Sequence, residues 1–148
     1  MKKIVFVTGN RNKADYLARF LDHPIDHKKI DLDEIQSLDL KVIIEHKVRQ
    51  AYKKIKKPVI VEDTSLEFKA LGGLPGPFVR FFVDNMKFED ICSLLNKKDR
   101  VATAKCAMGY FDGKTLKIFE KKMMGEIAKK TSRREWFWLG QNIYSQRI

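Results

Sequence analysis

Residues 61–82 read VEDTSLEFKALGGLPGPFVRFF. The run PVIV before the acids, opened by Pro58, is short and apolar, as suits a buried strand. Glu62 and Asp63 then follow directly. Neighbouring side chains on a strand point to opposite faces, so the two acids should not enter one cleft together. Ligands in open α/β sheets bind at the carboxyl ends of strands. One acid placed there can hold a Mg²⁺ ion or activate water. An N-cap or a surface acid is the plainer reading of this segment alone. GGLPGP is a turn-rich break, and PFVRFFVDN and KFEDICSLLN beyond it read as two short helices.

Toward the N-terminus, KIVFVT reads as a buried first strand. Its apolar part, IVFV, is too short for the roughly 7–15 residues of a signal-peptide core. Asn10 is placed to cap a helix over RNKADYLARFL, with Tyr16, Leu17, Phe20 and Leu21 on its apolar side. IDHKKIDL reads as extended. Asp39 is an N-cap for LKVIIEHKVRQAYKKI, with Val42, Ile43, Val48, Ala51, Tyr52 and Ile55 as its stripe. Toward the C-terminus, RVATAKCAMGYFDGKTLKIFE reads as two strands joined at Asp112-Gly113, a dipeptide suited to a type I′ turn. The order β-α-β-α-β-α-α-β-β implies an α/β domain with a mixed sheet.

Composition sets bounds. At 148 residues with 44% hydrophobic and 33% charged residues, the chain suits one globular domain. No run nears the roughly 18 apolar residues of a membrane span. Cys92 and Cys106 form no C-x-x-C pair, which fits a reduced, cytoplasmic setting. The net charge of +11 lies mostly in short Lys pairs. Aromatics do not interleave with them, so a solvated surface is favoured over a nucleic-acid stripe.

TGNRNK joins the first strand to the first helix. Such a junction offers free N–H groups and the positive end of a helix dipole. Thr8 and Asn10 add hydrogen bonds and Lys13 adds a charge, a set suited to phosphate. The spacing is not that of a P-loop, and an ordinary capped helix fits as well. Asp31, Asp33 and Glu34 offer hard oxygen ligands in a loop that is otherwise merely solvated. Lys47 can turn into a cleft or snorkel to water. His23, His27 and His46 lack zinc spacing and read as surface residues.

Taken together, VEDTSLEFKALGGLPGP and TGNRNK resemble the inosine triphosphate pyrophosphatase family, whose motifs are T/S-x-L-x-x-x-A-L-G-G-x-P-G and TGNxxK. KIDLDEIQS sits where that family keeps a metal-binding Glu, and A.C..GY.DG and F.....G.I recur in order. The resemblance spans roughly residues 2–130. It implies hydrolysis of ITP, dITP and XTP to the monophosphate and pyrophosphate, which clears deaminated purines from the nucleotide pool. It implies that Thr8, Gly9, Asn10, Arg11, Asn12 and Lys13 bind the triphosphate, with Lys47 on phosphate and Thr64, just past the strand, on substrate. Glu34 and Asp63 would hold Mg²⁺, with Asp63 also the base acting on water. The implied fold is an elongated, two-lobed α/β protein with a mixed central sheet flanked by helices, substrate in the cleft, usually a homodimer. Lys121 stands where many members have Gly.

The end of the chain departs from the pattern. The family continues with GFGWDPIF and a final helix carrying SHR, which bind the base. Here residues 132–148 read SRREWFWLGQNIYSQRI. Tryptophan has the single codon TGG, so a reading one nucleotide later turns Trp136 and Trp138 both into glycine. One permitted coding, with one A removed, re-reads as GNGFGWDKIFIPKG. The expectation is a catalytic-type domain over 1–133 and an aberrant, frameshifted tail over 134–148, without the family's last strand and helix. Sequencing the DNA across the tail tests this. Such a chain would hydrolyse ITP with little selectivity over ATP; the alternative is an impaired remnant that binds nucleotide or nucleic acid through its basic surface.

Overall fold

The computed structural model describes residues 3–9, 11–21 and 23–129. Its elements are β1 (Ile4–Val7), α1 (Arg11–Leu21), β2 (Ile25–Lys28), α2 (Leu40–Ile55), β3 (Val59–Phe68), a 3₁₀ turn (Lys69–Leu71), β4 (Pro75–Gly76), α3 (Val79–Asn85), α4 (Phe88–Ser93), β5 (Val101–Phe111) and β6 (Leu116–Glu126). The strands form one six-stranded mixed sheet in the order β2-β1-β3-β5-β6, with β4 beside β3. β1 lies parallel to both β2 and β3, whereas β4 is antiparallel to β3. The mixed α/β class is found, and the expected order of elements holds except that a 3₁₀ turn and the two-residue strand β4 stand between β3 and α3, where only a turn-rich break was expected. The aberrant tail expected over 134–148 lies outside the described residues.

The chain divides into two compact units. One holds the residues up to Asp63 together with Cys106–Lys121; the other holds Thr64–Lys105 and the described residues from Lys122.

The first unit is built on the period-two alternation of its strands. Val5, Val7, Val59 and Val61 bury one face under Leu40, Ile44, Val48 and Ala51 of α2. Phe6 and Ile60 bury the other face with Ala14 of α1. The two helices therefore cover opposite faces of the sheet. Each fully buried aliphatic side chain contributes roughly 1.5–3 kcal/mol. Asp39 caps α2, its carboxylate accepting from the Lys41 N–H at 2.9 Å. Close packing fixes Gly109 on β5, where an added Cβ would lie 2.6 Å from Ile44 Cγ2.

Several local expectations change. On α1, Tyr16, Phe20 and Leu21 are exposed, and Ala14 with Leu17 faces the sheet instead. On α2, Val42 is exposed and Ile44 is buried in its place. Both helices lie on the sheet by a narrow stripe, so apolar residues at its margin stay in water. The β5–β6 connection is a four-residue loop rather than a two-residue turn. The Asp112 carboxylate accepts from the N–H groups of Lys114 and Thr115 and so closes the longer loop.

The largest revision concerns β3. It does not end at the acids but runs on through Thr64, Ser65 and Leu66 to Phe68. Thr64 thus lies within the strand, not past it. The apolar residues beyond the acids explain the extension, because Phe68 is fully buried with Ile91, Leu95 and Ala102 in the core of the second unit. Arg100 staples that unit by donating to the carbonyls of Ile127, Leu95, Cys92 and Ala128.

Candidate active site

β1 stops at Val7, while β3 continues past the level of its parallel neighbour. The chain leaves β1 through α1 to reach β2 on one side, then crosses through α2 to reach β3 on the other. The two crossovers run over opposite faces, so the ends of β1 and β3 flank a topological switch point. Such a point opens a crevice where α/β sheets bind ligands. Thr8 and Gly9 leave β1 there, and Glu62 and Asp63 stand on β3 beside it.

As alternation requires, the two acids take opposite faces. Asp63 shares the α2 face with Val59 and Val61, and its Oδ2 accepts from Lys47 Nζ at 2.6 Å. Lys47 also donates to Glu34 Oε1 at 2.8 Å. Its side chain is only 12% exposed, against 68% for Glu34 and 26% for Asp63. Burial lowers the Lys47 pKa, but the charge and hydrogen bond of Asp63, then those of Glu34, outweigh it and the net shift is upward. The ammonium is therefore charged at neutral pH.

The loop carrying Glu34 is tied to α2 at three places. Lys47 holds Glu34, Gln50 exchanges two hydrogen bonds with Asp33 at 2.8 and 2.6 Å, and Lys54 donates to the Asp31 carbonyl at 2.6 Å. Residues three and four apart share a helix face, so one side of α2 presents all three. Asp33 and Asp31 are thereby engaged in holding the loop, and Glu34 is the acid directed to Lys47.

On the opposite face, Glu62 pairs with Lys13 of α1 at 2.9 and 3.1 Å. Its carboxylate is only 6% exposed. The Cys106 thiol lies 3.7 Å from Glu62 Oε1. Burial, then the charge of Glu62, pushes that thiol up to about 12, so it stays protonated and is no nucleophile. The sequence marks Glu62 only as one of a doublet of strand-end acids, and the resemblance assigns a role to Asp63 alone.

Thr8 donates its N–H to the Lys28 carbonyl at 3.1 Å. Gly9 and Arg11 are exposed, Arg11 opening α1. Asn10 and the side chain of Asn12 lie outside the described residues. Thr64 follows Asp63 on β3 and is half-buried. Two histidines depart from the surface reading. His27 is half-buried with Nε2 2.7 Å from the Thr8 carbonyl, and His46 has a buried Nδ1.

Among the described residues no group of three or more His, Cys, Asp or Glu side chains could hold a metal. Glu34 and Asp63 nevertheless both reach one cation, the Lys47 ammonium. Two hard carboxylates are the donor set Mg²⁺ uses when substrate phosphates and water complete its shell. The residues fit that ion. No helix among the described residues is long and apolar enough to cross a membrane.

The model of the Ham1 family matches residues 4–138. An inosine triphosphate pyrophosphatase of Fusarium vanettenii is 36% identical over 141 residues, covering 92% of this chain and 76% of that protein. The structure of the Staphylococcus aureus Ham1 protein superposes with a TM-score of 0.73 at 30% identity, over 86% of this chain and 73% of that one. A HAM1 protein from Coxiella burnetii shares the fold at a TM-score of 0.75 and 24% identity, over 88% of this chain and 75% of that one. The family match runs through both the TGNRNK loop and the β3 acids, and on that ground the chain belongs to the Ham1 family.

Proposed function

We propose that the protein hydrolyses deaminated purine nucleoside triphosphates, ITP, dITP and XTP, to the monophosphate and pyrophosphate. The observation that carries this reading is the pairing at the switch point. A helix N-terminus with Lys13 stands on one side of it, and Glu34, Lys47 and Asp63 stand on the other. The relative's name, inosine triphosphate pyrophosphatase, supplies the substrate class.

The residues divide the work by their chemistry. Thr8, Gly9, Asn10, Arg11, Asn12 and Lys13 bind the triphosphate through N–H groups, side-chain donors and charge. Lys47 contributes a second fixed cation to the phosphates. Glu34 and Asp63 would hold Mg²⁺, which supplies charge neutralisation on the phosphates when bound. Asp63 also orients a water and takes its proton as that water attacks the α-phosphorus. The bond to the bridging oxygen breaks and pyrophosphate leaves with the electron pair. Thr64 contacts the substrate from β3. The protein acts as a homodimer in the cytoplasm, and nucleic acid is not its partner. Residues 1–133 form the catalytic part.

A comparison of ITP, XTP, ATP and GTP with Mg²⁺ tests the substrate class. Faster pyrophosphate release from ITP and XTP supports it. Equal rates on all four would limit the reading to the triphosphate. Release of orthophosphate alone would contradict it.

A further inference from the structure

We propose that His27 is a positioning residue for the phosphate loop. Its imidazole fixes the Thr8–Gly9 peptide so that the Gly9 N–H faces the crevice beside β3 and donates to a phosphate oxygen. The inference rests on the function proposed above and adds to it a residue that touches no substrate.

β2 pairs with β1 in parallel register, with Phe6 opposite His27 and Val7 opposite Lys28. The ladder is continued one step by Thr8, whose N–H donates to the Lys28 carbonyl at 3.1 Å. The Thr8 carbonyl has no further β2 residue to meet, because β2 ends at Lys28. The His27 ring fills that place, with Nε2 2.7 Å from the oxygen. A carbonyl oxygen only accepts, so Nε2 carries the proton, either in the neutral Nε2–H form or in imidazolium. Both backbone groups of Thr8 therefore face β2.

In a trans peptide the C=O and the following N–H point in opposite directions. The only cis peptide among the described residues is Leu74–Pro75. Holding the Thr8 carbonyl toward β2 thus turns the Gly9 N–H away from β2, to the side on which β3 flanks β1. That side is the switch-point crevice. Gly9 is exposed, and a Cβ added to it would meet nothing within 4 Å, so its backbone is open to solvent. A backbone donor held in advance needs no reorganisation when the anion arrives. Without the ring, the peptide can turn and the donor loses its aim.

Inorganic pyrophosphate is the probe, with the full chain as wild type, His27→Phe, His27→Leu and His27→Gln. Phe keeps a ring and Leu keeps bulk, but neither donates; Gln restores an N–H donor. In the wild type, the Gly9 amide resonance should move downfield on saturation with pyrophosphate. The Phe and Leu variants should lose that movement and bind about tenfold more weakly, the worth of one hydrogen bond to a charged group. Their KM for nucleotide should rise by a similar factor with kcat within about twofold, and Gln should recover most of the loss. A folded Phe or Leu variant with wild-type affinity and an unchanged Gly9 response overturns the role of His27. A wild-type Gly9 amide indifferent to pyrophosphate contradicts the phosphate loop itself, and so the function on which the inference rests.

Discussion

Asp63→Asn should lower kcat/KM for ITP by about 10²–10⁴-fold, the usual worth of a positioned general base. The substitution keeps size and shape but removes the negative charge. A neutral amide cannot take a proton from water, and it is a poor ligand for a hard cation. Position makes the effect large. Asp63 lies on the α2 face of β3, at the point where β1 has ended, and is 26% exposed. It is accessible to solvent yet held by Lys47 at 2.6 Å. The fold should survive, because Lys47 keeps Glu34 as a partner. Steady-state kinetics with a thermal melt on the same sample separates the two effects. Activity within twofold of wild type would remove Asp63 as the base; a wild type that binds nucleotide without hydrolysing it would mark a binding protein instead of an enzyme. Asp63→Asn should barely change nucleotide affinity in that case.

Lys47→Met should cost about 10²–10³-fold in kcat, the usual effect of removing one preorganised charge that stabilises a phosphoryl transition state. Methionine retains the apolar stem, so packing on α2 is largely preserved. What disappears is the ammonium between Glu34 and Asp63, which leaves two carboxylates facing one place. The same change has a stability signature. Burial lowers the Lys47 pKa, but Asp63 and then Glu34 raise it further, so the folded value stands above the ordinary 10.5. A raised pKa contributes stability that is fully present below the unfolded value and is lost as pH rises through the folded one. Wild type should therefore lose stability relative to Lys47→Met as pH climbs above about 10.5. Urea melts across that range check it. Parallel pH profiles for the two proteins would show that the ion pair contributes nothing.

Much of the first unit was legible because its signals are local. The runs IVFV and VIV, the Asp39 cap and the long α2 pattern each specify an element by themselves. The alternation rule also separated Glu62 from Asp63 correctly, since each meets a lysine on a different face. The misreadings arise where distant parts decide. β3 looked finished at its charged doublet, yet Phe68 carries it onward because α4 and β5 supply a core for that ring. Which side of α1 faces the sheet depends on Ala14, a residue too small to mark a stripe in sequence. His27 shows no motif because its partner, the Thr8 carbonyl, lies 19 residues away and on the backbone. Glu62 likewise gains its meaning only from Lys13, which is 49 residues distant.

The most direct test is hydrolysis of ITP in H₂¹⁸O with Mg²⁺, followed by mass analysis of the products. Attack of water on the α-phosphorus places the label in inosine monophosphate and leaves pyrophosphate unlabelled, which is the expected result. Label in orthophosphate with inosine diphosphate as co-product, or label in pyrophosphate, would contradict the account.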